Sequence, residues 1–189
     1  MVIKSEEDIL NLITNDSWMM NILKTAQTLH LPDWWICAGF VRTKVWDTLH
    51  GYSNKTNLPD IDVVYFDASN TDEQFEKHLE SKLKEKASAE PWSVKNQARM
   101  HIINGEEPYT STIDAVSRFP ETATSIALKL NEKNELILAA PWGIKDLLSL
   151  QIKPTPPFKE KGALSSIYEK RVHEKQWDKK WPKVKVQGI

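Results

Sequence analysis

Apolar positions fall into two rhythms along the chain. After Ser5, Ile9, Leu10, Leu12 and Ile13 recur at helical spacing, and Met19, Ile22, Leu23 and Ala26 follow at i, i+3, i+4 and i+7. Two amphipathic helices are predicted, the second with Asp16 as its N-cap. Pro32-Asp33 interrupts this rhythm. Residues 34–38 then read as a short buried strand, Gly39 as a strand-to-helix junction and 41–49 as the helix that follows. Residues 51–59 are loop by composition and 60–66 form a strand, while 71–86 predict a highly charged, solvated helix. A strand is predicted over 92–103, and a hairpin pairs 125–130 with 136–139 across the turn 131–134. Helices are predicted over 143–150 and 165–180. Strands mixed with helices at these intervals predict an α+β or α/β domain with a helical C-terminal extension.

Composition sharpens this in two places. The 189 residues include 40% apolar and 27% charged side chains, which suits a globular chain rather than a disordered one or a coiled coil. The net charge of -1 is a near-cancellation, because residues 151–189 carry 10 Lys+Arg and 4 Asp+Glu while residues 1–150 carry 15 and 22. The expected organisation is an acidic body over 1–150 and a basic helical tail over 151–189. The two are joined by the proline-rich stretch Lys153-Pro154-Thr155-Pro156-Pro157. The acidic amino end lacks the pattern of an export signal, and the longest apolar run, 136–142, is interrupted by Pro141. A cytoplasmic protein without membrane contact is expected. Cys37 is the sole cysteine, so a cysteine zinc cluster is excluded, and its apolar surroundings predict a buried structural thiol.

The chemistry-bearing residues cluster in the body. Asp60 and Asp62 are two apart on a predicted strand, so their side chains leave one face with Cα atoms about 7 Å apart. A divalent cation fits between two such carboxylates, and Mg²⁺ (or Mn²⁺) is the natural one, since it takes one or two carboxylates, waters and substrate phosphates. The alternative is a solvated strand end after Pro59. Gly39 lets backbone approach a ligand at the start of a helix, where free N–H groups make an anion site, and Arg42 and Lys44 lie close behind for phosphate contact. Asn96, the polar outlier on the apolar face of the 92–103 strand, is a candidate neutral metal ligand or a hydrogen-bonded core asparagine. Glu90 is a weaker candidate of the same parity. Arg99 and His101 are candidates to face substrate. Asp114 is a candidate third acid or acceptor contact, with N-capping or turn formation as the alternative. Thr122 and Thr124 are candidates to border a nucleotide pocket. In the tail, Lys170, Arg171, Lys175, Lys179, Lys180, Lys183 and Lys185 interleave with Tyr168, Trp177 and Trp181. This suits either RNA contact or, the favoured reading, an amphipathic helix packing Ile167, Tyr168 and Val172 on the body.

On these residues the chain resembles the nucleotidyltransferase superfamily related to DNA polymerase beta, whose pattern is an apolar residue, glycine and a hydroxyl residue followed by an acidic-apolar-acidic strand. More closely, it is similar to a bacterial family of nucleotidyltransferase-like proteins through AGFVRTKVWDTLHG (38–51), DIDVVYFD (60–67), WSVKNQARMH (92–101), PYTSTIDAVSRFPETATSIAL (108–128) and PWGIKDLL (141–148). The resemblance implies an α+β fold with a nucleotidyltransferase-like mixed sheet flanked by helices. It also implies transfer of a nucleoside monophosphate from a nucleoside triphosphate to an acceptor, which would be protein, RNA or a small molecule. Asp60 and Asp62 would then be catalytic metal ligands, with Gly39, Phe40, Arg42 and Thr43 at the nucleotide. Phe40 stands where the superfamily has serine, so phosphate contact falls to backbone amides, Arg42 or Thr43, and the strand 92–101 offers no third acid at its centre. The competing expectation is a non-catalytic nucleotide- or partner-binding module that retains the fold.

Overall fold

The computed structural model describes residues 3–160 and 162–189. Ser5 and Asp16 cap the first two helices, α1 (Glu6–Thr14) and α2 (Ser17–Gln27), by accepting the amides of Asp8 and Met19. Their apolar stripes, including Ile9, Ile13, Met19 and Leu23, are buried in the main core. The chain continues through β1 (Trp35–Cys37), α3 (Gly39–His50), β2 (Ile61–Tyr65), α4 (Glu73–Lys86) and β3 (Trp92–Asn96). Next come α5 (Gln97–Asn104), α6 (Thr112–Ser117), the hairpin β4 (Ala127–Leu130) and β5 (Leu136–Ala139), and α7 (Lys145–Leu148). The C-terminal segment contributes β6 (Gln151–Ile152), α8 (Pro156–Lys159), α9 (Ala163–Lys175), α10 (Trp177–Lys180) and β7 (Lys185–Val186).

The five-stranded sheet has the order β3-β2-β1-β4-β5, with β2 and β3 parallel and the other pairs antiparallel. It is the mixed sheet of an α+β fold. Strand parity divides the residues between two faces. Ile36, Ile61, Val63, Tyr65 and Leu128 enter the large core with α1, α2 and α3, while Trp35, Cys37, Val64 and Ala127 form a smaller cluster with Val116. Asp62 shares the parity of Val64, and so points to the side of the sheet with the small core.

Two expectations change here. The predicted strand 92–103 is a strand only to Asn96, after which the chain turns into α5. The cause is Asn96 itself, whose side-chain oxygen accepts the Ala98 amide and caps the helix, a local bond that alternation of polar and apolar residues does not reveal. The helix α4 is charged but not simply solvated. Glu76 and Glu80 are buried against β3, where they accept the backbone amides of Asn96 and Val94 and thereby block the edge of the sheet.

The basic C-terminal segment packs on the body. Pro154 bridges Glu121, Thr155 donates its amide to the Pro120 carbonyl, and β6 pairs with β7 in parallel. The prolines do not keep this stretch out of helix, because they occupy the first turn of α8, where a missing N–H costs nothing. Tyr168, Trp177 and Trp181 are buried, whereas Ile167, expected to pack, remains 44% exposed. Trp181 stacks edge-on against Trp46 at 5.2 Å between ring centroids and donates its indole N–H to buried Asp47 at 2.8 Å. Asp47 also accepts the amide and hydroxyl of Thr56, both at 2.7 Å. One carboxylate therefore ties α3, the 51–59 loop and the tail together. Asp47→Ala is expected to lower stability by about 2–4 kcal/mol, since three donors lose their acceptor in a buried site. Thermal or denaturant unfolding checks this, and a loss below half a kcal/mol on the order of surface substitutions would contradict it.

Candidate functional site

The strand β1 ends in an abrupt turn. Ala38 has φ 53° and ψ -110°, a left-handed conformation that costs energy for a residue with a Cβ. Its amide is anchored to the Ile126 carbonyl, and the first helical bond of α3 runs from the Arg42 amide to the Ala38 carbonyl. The amides of Gly39, Phe40 and Val41 precede that bond and so carry no helical acceptor. Strain thus falls on Ala38. Gly39 is not forced by space, since a Cβ there would make only ordinary contact at 3.7 Å with Arg42 and with Leu58.

This turn opens onto a cavity of about 530 Å³, whose lining includes Gly39, Arg42, Thr43, Asp60 and Asp62. Asp60 lies one residue ahead of β2 and Asp62 within it, beside Ser93 in the β2–β3 register. Burial pushes the Asp62 carboxyl up to about 6, and the neighbouring charge of Asp60 adds to the shift. A hydrogen bond with Ser93 and the charges of Lys175 and Arg171 oppose it. The same surroundings raise the Cys37 thiol well above its ordinary value, first by burial and then through Asp62 and Asp60, so it is an inert lining group.

Arg42 is held unusually. Its guanidinium carbon lies 5.4 Å from the Trp46 ring centroid and 5.1 Å from that of Trp177, and its buried Nε has no hydrogen-bond acceptor among the described residues. Burial draws its pKa down to about 10, with Arg171 acting in the same direction and Glu121, Asp60 and Asp62 against it. It remains a cation at neutral pH with donors to spare.

The other predicted site residues divide. Thr43 is buried and lines the cavity. The Phe40 side chain turns into the core, 5.8 Å from the Trp18 ring, so its amide alone is available at the turn. Asn96 does not reach the site. Its amide group accepts from Asp67 and Ala98 and donates to the carbonyls of Asp67 and Asn70, which leaves no lone pair aimed at a metal. Arg99 lies outside the lining, paired with buried Glu76 through two 2.8 Å bonds. Asp114 is a turn acid, accepting from the amide and hydroxyl of Thr110 and from Arg118. Glu90 accepts the Trp18 indole, Thr122 donates to Asp146, and His101 lies against Tyr109, while Thr124 does line the cavity.

Sequence reasoning missed the cations that the tail brings to this cavity. Arg171, Lys175, Trp177 and Lys180 all line the cavity, together with Arg118 from the end of α6 and Lys95 from β3. The interleaved basic and aromatic residues of the tail were the available signal, but nothing local says which surface they meet. Buried Glu121 anchors one of them, accepting Arg171 at 2.8 and 3.2 Å, and also accepts the Thr124 hydroxyl at 2.7 Å.

A profile described as nucleotidyltransferase matches residues 24–186. The chain belongs to this nucleotidyltransferase family. Among solved structures, a solution structure described as revealing a CCA-adding enzyme head domain is 34% identical, covers 99% of this chain and 98% of its own, and superposes with a TM-score of 0.89. The Thermotoga maritima CCA-adding enzyme complexed with tRNA is 14% identical, covering 100% of this chain and 44% of its own with a TM-score of 0.57. A CCA-adding enzyme in complex with CTP is 13% identical, covering 99% and 44% with a TM-score of 0.58. These last two share the fold, and this chain spans less than half their length. A search of curated proteins returns no match. Among the described residues no helix of this nucleotidyltransferase family member is long and apolar enough to cross a membrane.

The raised Asp62 carboxyl has a measurable consequence. The fold binds that proton more tightly than the unfolded chain does, so the contribution is favourable at low pH and is lost as pH rises through about 6. Asp62→Asn is therefore expected to stabilise the metal-free protein at neutral pH by on the order of 1–3 kcal/mol. The advantage should vanish toward the ordinary carboxylate range. Unfolding in EDTA across pH checks this, and a difference that does not change with pH would contradict it.

Proposed function

We propose that this protein is a metal-dependent nucleotidyltransferase that moves a nucleoside monophosphate from a nucleoside triphosphate to an acceptor hydroxyl. The observation that carries the reading is the shared cavity. It joins two carboxylates at the start of β2 to the open amides of a helix N-terminus and to a cation with unused donors. The donor set suits Mg²⁺ or Mn²⁺. Both available ligands are hard carboxylate oxygens, and a cation would relieve the repulsion and burial that raise Asp62. Asp60 and Asp62 would hold it, with substrate phosphates and water completing the shell. When bound, the metal would stabilise negative charge on the reacting phosphate and the departing pyrophosphate.

The protein's own part is positioning. The amides of Gly39, Phe40 and Val41 and the Arg42 guanidinium offer donors to phosphate oxygens, and Thr43 sits one turn into the helix beside them. The 530 Å³ cavity is of the size that holds a nucleotide-sized ligand. The relatives described as binding CTP, ATP and tRNA support a nucleotide donor and make an RNA end one of the acceptors to test, beside protein and small hydroxyl compounds.

A second reading, a non-catalytic nucleotide-binding module, draws on one observation. Among the described residues no group of three His, Cys, Asp or Glu is placed to hold a metal. The two readings part in one experiment, in which labelled ATP, CTP, GTP and UTP are offered with Mn²⁺ to RNA, protein and small acceptors. Asp60→Ala and Asp62→Ala are each expected to lower transfer at least about 100-fold without unfolding the protein. Nucleotide binding that is indifferent to Mn²⁺ and to both substitutions would favour the binding module.

A further inference from the structure

The cavity lining comes from distant parts of the chain. The body supplies the paired carboxylates and the start of α3, and α9 with α10 supplies cations to the same cavity. Arg171 is already committed to Glu121. Lys175 is not, for among the described residues it forms no ion pair, although Lys170 one turn earlier pairs with Glu174.

The backbone explains how Lys175 and Trp177 come to line one cavity. Residues two apart on a continuous helix point about 200° apart. Gln176 breaks the helix with φ 47° and ψ 47°, ending α9 and starting α10, and so turns both neighbours inward. A side chain in this left-handed conformation is strained, and the fold retains that strain at this junction. Trp177, 3% exposed, then reaches the guanidinium of Arg42.

We propose that the junction Lys175-Gln176-Trp177 completes a triphosphate clamp. Lys175 binds phosphate in the cavity it shares with Asp60 and Asp62, and Trp177 is a positioning residue that keeps Arg42 directed at the same phosphates. The clamp rests on the reading of the cavity as a nucleoside triphosphate site, and deepens it by assigning recognition of the polyphosphate to the C-terminal segment. The chemistry is consistent, because a polyanion entering beside two carboxylates needs compensating cations that are not already paired.

Calorimetric titration of the full chain with ATP, CTP, CMP and inorganic tripolyphosphate, each with Mn²⁺, tests it. Lys175→Ala is expected to weaken ATP, CTP and tripolyphosphate at least about 10-fold and CMP no more than about threefold, with Lys175→Arg restoring wild-type affinity within about threefold. Lys175 is exposed, so folding is not at stake. Trp177→Phe should weaken triphosphate binding in the wild type and have no further effect in an Arg42→Ala background, a coupling that loss of packing alone would not produce. Lys175→Ala binding triphosphates within twofold of wild type, or losing CMP equally, overturns the clamp. Wild-type protein that binds neither nucleotides nor tripolyphosphate overturns the clamp together with the underlying reading. Lys175-dependent triphosphate binding without any transfer activity supports the clamp and overturns the catalytic reading alone.

Discussion

Two like charges two positions apart, one just ahead of β2 and one within it, set the terms for the rest of this molecule. Burial beside the small core pushes the Asp62 carboxyl up to about 6, and the charge of Asp60 adds to it. Everything around them offsets it. The α3 N-terminus presents its dipole and free amides, Arg42 stands between two indoles, and the tail returns across the chain to place further cations in the same cavity.

Bringing those cations close demands fixed anchors, because long basic side chains on a surface hold no geometry on their own. The structure uses buried carboxylates for this purpose. Asp47 collects Thr56 and Trp181, Glu121 collects Thr124 and Arg171, and Glu76 collects Arg99 and the edge of β3. Each acid is buried and its hydrogen bonds are met, so the desolvation of the charge is offset locally. The first two join the tail to the helix and strand turns that frame the cavity. The tail is therefore a wall of the site rather than an appendage.

Membership in the nucleotidyltransferase family and close likeness to a CCA-adding enzyme head domain fit this architecture. The full-length CCA-adding enzymes that share the fold are more than twice as long. What their additional length does is a property of those proteins. In this chain the cavity lining draws on residues from Cys37 to Trp181.

By itself the sequence determined the elements whose causes are local. Amphipathic periodicity and capping residues located α1 and α2, alternation and turn residues located β2 and the β4–β5 hairpin, and the two-residue spacing of Asp60 and Asp62 put both on one face. It misread Asn96, where a side-chain cap overrode an alternating pattern, and Glu76, whose partners Lys95, Asn96 and Arg99 lie far along the chain. Only the tertiary structure decided which charges remain free. Asn96, Arg99 and Asp114 had the right chemistry but are consumed by hydrogen bonds and ion pairs, whereas Lys175 and Trp177 reach the site across more than a hundred residues of chain. The reason is physical. Secondary structure follows from neighbours along the chain, but the availability of a polar group depends on every group packed against it, and those come from anywhere in the sequence.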